Sequence, residues 1–438
     1  MKKLPPVALF GIVGLAFILV GLLQSWTLAI TILNDGLIVA IMALGVNMQW
    51  GYAGLFNIGV AGFFALGGLA VALVSQPVDP AAWAAGTPRI LMALVFGAAV
   101  IWAGVQTYNR MAAGRLRTLA MLVLLVGGFF LFRAIYDPAA NAVEALTPAA
   151  TGNIGGLGLP VVLSWLVGGL LAAVAAWGVA KTALGLRSDY LAIATLGIGQ
   201  ILIAVMKNED WLDRGVKNIT NVGRWPVPYE VDLQQNAAFI ARAKAWGMDP
   251  QTLSTIWVGL CFTALFTVVL LVLLVLMELA LKSPWGRMMR AIRDNEIAAE
   301  AMGKDVKRRH LQIFVLGSAV IGVAGAMFVM LHGLLAPTSY DDPLRYTFLI
   351  WAMVILGGSG NNWGSVLGAL IIMLMWDEAE GMGQFLASHL DMLPSVISGN
   401  AAVSKWVVDN AVYTRLPVIG LVLLLVLRFS PRGLIPEK

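Results

Sequence analysis

The chain has 438 residues, 59% of them hydrophobic and only 12% charged, and its mean hydropathy is +0.84. Soluble domains carry about a quarter charged residues, so a water-soluble fold is excluded and lipid is the solvent for most of the chain. The formal charge of +5 comes from basic residues in short loops beside apolar runs, a pattern that marks cytoplasmic loops rather than a nucleic-acid surface.

A membrane span needs about 20 apolar residues. Met1-Lys2-Lys3 leads into the first candidate, 7–23. No small-residue cleavage site followed by a soluble domain appears, so it reads as a retained span. Further candidates are 27–47, 53–74, 89–106, 118–136, 161–181, 189–206, 254–281 and 310–333. Two shorter apolar pieces, 346–357 and 363–376, precede a last span at 416–429. The expected fold is one all-α polytopic membrane domain of about ten to twelve crossing or half-membrane helices, some of them broken. Residues 207–253 are too polar to span. They read as an external loop, either a docking surface for a partner or a cap on the bundle. Cys261 is the single cysteine, which excludes an intramolecular disulfide.

Loop charges set the expected topology. Arg110, Arg115 and Arg117 follow the fourth span, and Lys181 and Arg187 follow the sixth. Residues 282–309 hold eight basic against four acidic residues, whereas 75–88 and 137–160 hold neither Lys nor Arg. With the N-terminus inside, every basic loop falls inside. A single span over 346–376 would put Arg428, Arg432 and Lys438 outside. Two short halves around Gly357-Gly358-Ser359-Gly360 put both termini in the cytoplasm. Such a break has to be shielded by protein or water, because lipid satisfies no backbone group. Interrupted helices of this kind line transport paths.

The most informative stretch is 283–303. Ser283 suits an N-cap and Pro284 the first helical position. Trp285, Met288, Met289 and Ile292 repeat as one apolar helix face, with Arg287, Arg290 and Arg293 elsewhere. Asp294-Asn295 weakens the helix, a second short turn covers 298–302, and Gly303 suits a C-cap. A short amphipathic helix pair between two spans is built either to lie on the membrane surface or to seat in a partner's groove.

This segment, through Gly286-Arg287, Arg290-Ala291-Ile292-Arg293, Asn295-Glu296, Ala298-Ala299-Glu300-Ala301 and Gly303, resembles the coupling loop of LivM-type permeases of the branched-chain amino acid ABC transporter family. The likeness continues through Phe314 and Gly325-Ala326. Other matching motifs are Ala43–Asn47, Gly51-Tyr52-Ala53-Gly54-Leu55, Gly59, Ala61, Phe63-Phe64, Tyr190–Leu196, Leu356–Gly360, Trp363-Gly364, Gly368-Ala369 and Ser430–Leu434. Residues 75–160 match less well and read as extra spans and loops. Val60 stands where the family often has His, so no role is assigned there.

The resemblance implies a bacterial inner-membrane permease for leucine, isoleucine and valine, with urea, short amides and other small solutes as alternatives. Implied partners are a homologous permease, two cytoplasmic ATPases that hold ATP and Mg, and a periplasmic solute-binding protein. Trp285, Arg287, Arg290, Arg293, Asp294, Glu296, Glu300 and Gly303 are the expected ATPase-coupling residues. Asn47, Gln49, Gly51, Asn57, Gln200, Gly357, Gly358 and Gly360 are the expected path residues, unless the polar ones cap broken helix ends. No catalytic residue and no cofactor is expected on this chain, which has no P-loop motif. Its three histidines, His310, His332 and His389, form no metal-ligand pattern. Asp35 is expected near the outer end of its span with a water or Arg partner. The competing classes are an ATP-independent secondary transporter, which needs coupling carboxylates at mid-membrane, and an intramembrane enzyme, which needs a catalytic pair there.

Overall fold

The computed structural model describes residues 5–146, 152–220, 222–388, 413 and 415–437. Its helices, in chain order, are α1 (Pro6–Leu23), α2 (Trp26–Ala53), α3 (Val60–Ser75), α4 (Pro80–Ala85), α5 (Thr87–Arg110), α6 (Arg115–Glu144), α7 (Val161–Ala183) and α8 (Ser188–Asn208). Then come α9 (Asp210–Asp213), α10 (Glu230–Gln235), α11 (Ala237–Ala245), α12 (Pro250–Lys282), α13 (Pro284–Asp294), α14 (Glu296–Ala301) and α15 (Val306–His332). A π-helical turn (Leu344–Phe348) leads into α16 (Leu349–Gly357), followed by α17 (Asn362–Ser388) and α18 (Arg415–Phe429). Among the described residues the one β-ladder pairs β1 (Ile219–Thr220) antiparallel with β2 (Leu334–Leu335).

Eight helices are long and apolar enough to cross a membrane: α1, α2, α5, α6, α7, α8, α12 and α15. With the shorter α3 and α16, and with α17 and α18, they make the expected all-α polytopic bundle. Local chemistry starts several of them. Ser25 Oγ accepts from the Leu28 N–H at 3.1 Å to cap α2, and Asp249 Oδ2 accepts from the Gln251 and Thr252 N–H groups at 3.1 Å to cap α12. Proline holds a first-turn position in α1, α5 and α12, where its missing N–H would have no helical partner anyway.

The apolar stretch of α2 is 78% buried and that of α15 67%, whereas that of α6 buries nothing. The core is therefore α2 and α15, with α3, α7, α12, α16 and α17 around them. At the crossing of α3, α7 and α15, a Cβ on Gly67 or Gly322 would strike a facing carbonyl, so small residues set that approach. The α5–α6 hairpin stands apart. Its inner residues Ile90, Ala93, Tyr136, Ala139 and Val143 join Ala82 and Trp211 in a separate small cluster.

Two expectations change. The span expected at 53–74 is interrupted: α2 ends at Ala53, residues 54–59 are non-helical, and α3 starts at Val60. The piece expected at 363–376 is part of a longer helix, α17, which runs from Asn362 to Ser388. Asp377 and Glu378 ended the apolar run in sequence, but the Gln24 Nε2 donates to Glu378 Oε2 at 2.7 Å, so the helix carries its acids into a polar contact. The segment at 207–253 is structured, with α9, β1, α10 and α11 folded over one end of the bundle. Residues 389–412, with His389 and Asp409 among them, lie outside the described residues.

Candidate functional site

Two helix breaks meet at one end of the bundle. At the first, Gly54 adopts φ +70°, and the N–H groups of Gly54 and Leu55 donate back to the carbonyls of Trp50 and Gln49 at 2.9 and 3.0 Å. Asn57 then turns the chain: its Oδ1 accepts from the Gly59 N–H at 2.9 Å, and its Nδ2 donates to Gln49 Oε1 at 2.8 Å. Gln49 Nε2 donates to the Phe314 carbonyl at 2.8 Å and to Ser318 Oγ at 3.0 Å, which fastens the turn to α15. The Ile58 N–H donates to Thr195 Oγ1 on α8 at 3.0 Å, and Trp351 Nε1 on α16 donates to the Asn57 carbonyl at 3.0 Å. Side chains from α8 and α16 thus take up backbone groups that leaving the helix exposes, as a non-aqueous surrounding requires.

The second break lies between α16 and α17. Gly358 at φ +117° and Gly360 at φ +80° supply backbone angles that L side chains rarely adopt. The Gly360 N–H donates to Asn47 Oδ1 at 2.8 Å, Asn47 Nδ2 donates to Asn362 Oδ1 at 3.0 Å, and Asn362 Nδ2 donates to Glu278 Oε1 at 3.3 Å. Gly51 packs on Gly360 so closely that a Cβ on Gly51 would strike the Gly360 nitrogen. Asn47, Gln49 and Asn57 are all 0% exposed. In this conformation they cap broken ends rather than face an open channel. Of the expected path residues, Asn47, Gln49, Gly51, Asn57, Gly357, Gly358 and Gly360 converge here. Gln200 is half-buried on α8 and makes no hydrogen bond to this network.

The 283–303 segment lies against these breaks. Pro284 opens α13 as expected. Ser283 does not cap it: its hydroxyl donates to the Ala280 carbonyl of α12 at 2.6 Å, which leaves the α13 N-terminus without a side-chain cap. Met289 and Ile292 are buried, Trp285 and Met288 pack at the edge of the same core, and Trp285 Nε1 donates to Gln312 Oε1 on α15 at 3.2 Å. The chain breaks at Asn295, whose Oδ1 accepts from the Ala298 N–H at 2.9 Å and so starts α14. Gly303, at φ +75°, donates its N–H to the Glu300 carbonyl at 2.9 Å and closes α14. Arg287, Asp294, Glu296 and Glu300 are exposed, and Ile297 and Met302 are 81% and 80% exposed. Arg290 is half-buried.

Arg293 behaves differently from the other coupling candidates. Its Nη1 donates to the Gly51 carbonyl of the first break and to Glu437 Oε2 at 2.9 Å. Its Nη2 lies 3.1 Å from Asp294 Oδ1. Burial works against the charge, but the hydrogen bonds and charges of Glu437 and Asp294 outweigh it and hold the guanidinium above its ordinary pKa. Beside it opens a cleft of about 790 Å³ lined by Arg287, Arg290, Asp294, Ser359 and Arg432 among others. Sequence reading missed Glu278, Gln312, Asn362 and Glu437. The one local signal was for Asn362, which follows the glycine run.

At the far end of the bundle, Asp35 Oδ1 lies 3.7 Å from His332 Nε2, and the His332 ring packs tilted against Phe328 with centroids 4.2 Å apart. Asp35 thus has His332 beside it, and the charge of Arg345, the expected kind of partner, acts on it as well. His310 is buried at the start of α15. No cluster of His, Cys, Asp and Glu able to hold a metal occurs among the described residues.

The chain matches the family model "Branched-chain amino acid transport system / permease component" over residues 28–144 and 111–427. It is 24% identical over 399 residues to the probable branched-chain amino acid transport permease protein LivM of Methanocaldococcus jannaschii, covering 91% of this chain and 90% of that one. It is 30% identical over 263 residues to the high-affinity branched-chain amino acid transport system permease protein LivM of Escherichia coli, covering 58% of this chain and 56% of that relative's length. A shorter likeness, 32% over 114 residues, reaches the probable branched-chain amino acid transport permease protein LivH of M. jannaschii, covering 26% of this chain and 35% of that one. No solved structure gives a match. Match and motifs run along the same chain that folds into this many-spanning bundle, and the protein belongs to the branched-chain amino acid transport-system permease family.

Proposed function

We propose that this chain is the membrane-spanning permease subunit of an ATP-driven importer for branched-chain amino acids. It forms the path together with a homologous permease, and two cytoplasmic ATPases that hold ATP and Mg supply the work. A solute-binding protein outside delivers the substrate. The observation that carries the reading is the joining of the amphipathic pair α13–α14 to both helix breaks in a chain of this permease family. The names of the relatives support the substrate class, and the partial likeness to LivH supports a second permease of related sequence. The charge of the loops supports a plasma-membrane orientation with α13–α14 and both termini in the cytoplasm.

Within this reading, α14 and the exposed side of α13 present Arg290, Asp294, Glu296 and Glu300 to a groove on the ATPase. The buried side, Met289 and Ile292, carries movement into the bundle. Asn47, Gln49 and Asn57 hold the breaks closed until α13 moves. Deleting the gene and restoring it tests the substrate. Uptake of labelled leucine, isoleucine and valine should fall on deletion and return on restoration, while uptake of urea and a short amide stays unchanged. Unchanged uptake of all three amino acids on deletion would contradict the assignment.

A further inference from the structure

Residues 430–437 form a strap across the second break. The Ser430 Oγ donates to the Gly433 carbonyl at 2.6 Å and folds the chain back just beyond α18. Gly433, at φ +80°, sits against Gly358 with no room for a Cβ between them. The Leu434 N–H then donates to the Leu356 carbonyl at 3.0 Å, and the Ile435 N–H to the Gly357 carbonyl at 2.8 Å. These are carbonyls that the end of α16 leaves without helical partners. Asn361 Nδ2 donates to the Pro436 carbonyl at 3.2 Å, and the Ile435 side chain is buried. Two residues further on, Glu437 meets Arg293.

One guanidinium therefore touches the first break through Gly51, while its acid partner stands on a strap bonded to the second break. Capping α16 needs only the backbone of 434–436, so the Arg293–Glu437 contact is left without a purpose in that cap. The side chains of Arg293 and Glu437 are 24% and 28% exposed. At that partial burial the pair is screened by salt less than an exposed one. It fixes the distance between α13 and both breaks.

We propose that Arg293 and Glu437 are positioning residues for transport, the strap and α13 forming a clamp through which displacement of the coupling helices reaches both helix breaks together. Arg293 then acts on the bundle rather than on the ATPase surface. The inference rests on the importer reading.

The complete importer, reconstituted in vesicles with its ATPases and binding protein, tests it by recording leucine accumulated and ATP hydrolysed in the same sample. Glu437→Gln keeps shape and removes charge. It should lower leucine imported per ATP by about tenfold, within the range over which residues on a coupling path act, with melting temperature unchanged. Glu437→Asp should restore much of the loss. Hydrogen exchange gives a second measurement free of activity. The amides of Leu434 and Ile435 should be protected in the unaltered protein and less so in Glu437→Gln and Arg293→Gln. Unprotected amides in the unaltered protein overturn the strap. An unaltered import ratio in both substituted proteins, or a loss that appears only with a lowered melting temperature, overturns the positioning role and leaves the importer standing. Absence of ATP-driven uptake by the unaltered complex overturns both.

Discussion

At the residue scale, Asn47 holds the two breaks together. Its Oδ1 accepts the Gly360 N–H and its Nδ2 donates to Asn362, with the side chain 0% exposed. Asn47→Leu keeps the branched shape, adds bulk and strands a buried backbone donor, the last of which costs about 1–3 kcal/mol. A lowered melting temperature in detergent is the expected result, and an unchanged one would show that the donor finds another partner. A second residue sets a pH response at the other end. Asp213 follows α8 in the short α9 and is 0% exposed. Its Oδ1 accepts from the Gly215 N–H at 3.2 Å, while Oδ2 has no hydrogen-bond partner among the described residues. Burial, reinforced by the nearby Asp210, pushes the carboxyl up to about 7. A folded pKa raised above the unfolded one means that the folded state holds the proton more tightly. The stabilisation is present at acid pH and is lost as pH rises through about 7. Amide exchange around 209–218 should therefore be slower at pH 5 than at pH 8. Asp213→Asn should flatten that difference beyond the intrinsic exchange rate.

At the element scale, α14 is the exposed half of the amphipathic pair α13–α14. Glu300 lies exposed on it, clear of the packing that holds Met289 and Ile292. Glu300→Lys should leave the chain inserted and uncouple ATP hydrolysis from uptake; normal uptake in that variant would remove α14 from the coupling assignment. The α5–α6 hairpin supports the opposite expectation. Its core is separate from that of α2 and α15, so replacing residues 94–132 with a short glycine–serine link should preserve ATP-dependent uptake. Loss of uptake in a stably inserted protein would show that the hairpin takes part. The long helices were legible because lipid demands uninterrupted apolar runs. The break at Gly357–Gly360 was legible from its glycine run, whereas the one at 54–59 was not, because residues 53–74 read as one apolar span and the partners of its free polar groups lie on other helices. The extent of α17 was not, since the Gln24 partner of Glu378 lies 354 residues away in sequence. The Ser283 hydroxyl was misread for a related reason. It had two backbone partners within reach, and only the geometry at the end of α12 selects Ala280. Glu437 carried no local signal at all, because its meaning depends on Arg293 and on the path of the strap.

At the scale of the whole molecule, burial divides the bundle into a core around α2 and α15 and an outer set of helices exposing apolar faces. In lipid, an apolar outer face carries no penalty, so the bundle needs no soluble domain to hide it. What the chain does place at one end is a basic surface with two helix breaks directly behind it. That arrangement fits the proposal that another protein works the permease from one side, with α13 joining the surface to the breaks. The most direct measurement is leucine accumulation in vesicles that contain this chain, its homologous permease and the ATPases, supplied with loaded binding protein. Accumulation should require ATP with Mg on the ATPase side and should vanish when the ATPase subunits are left out. Concentrative uptake that continues without them, driven by an ion gradient through this chain, would contradict the account.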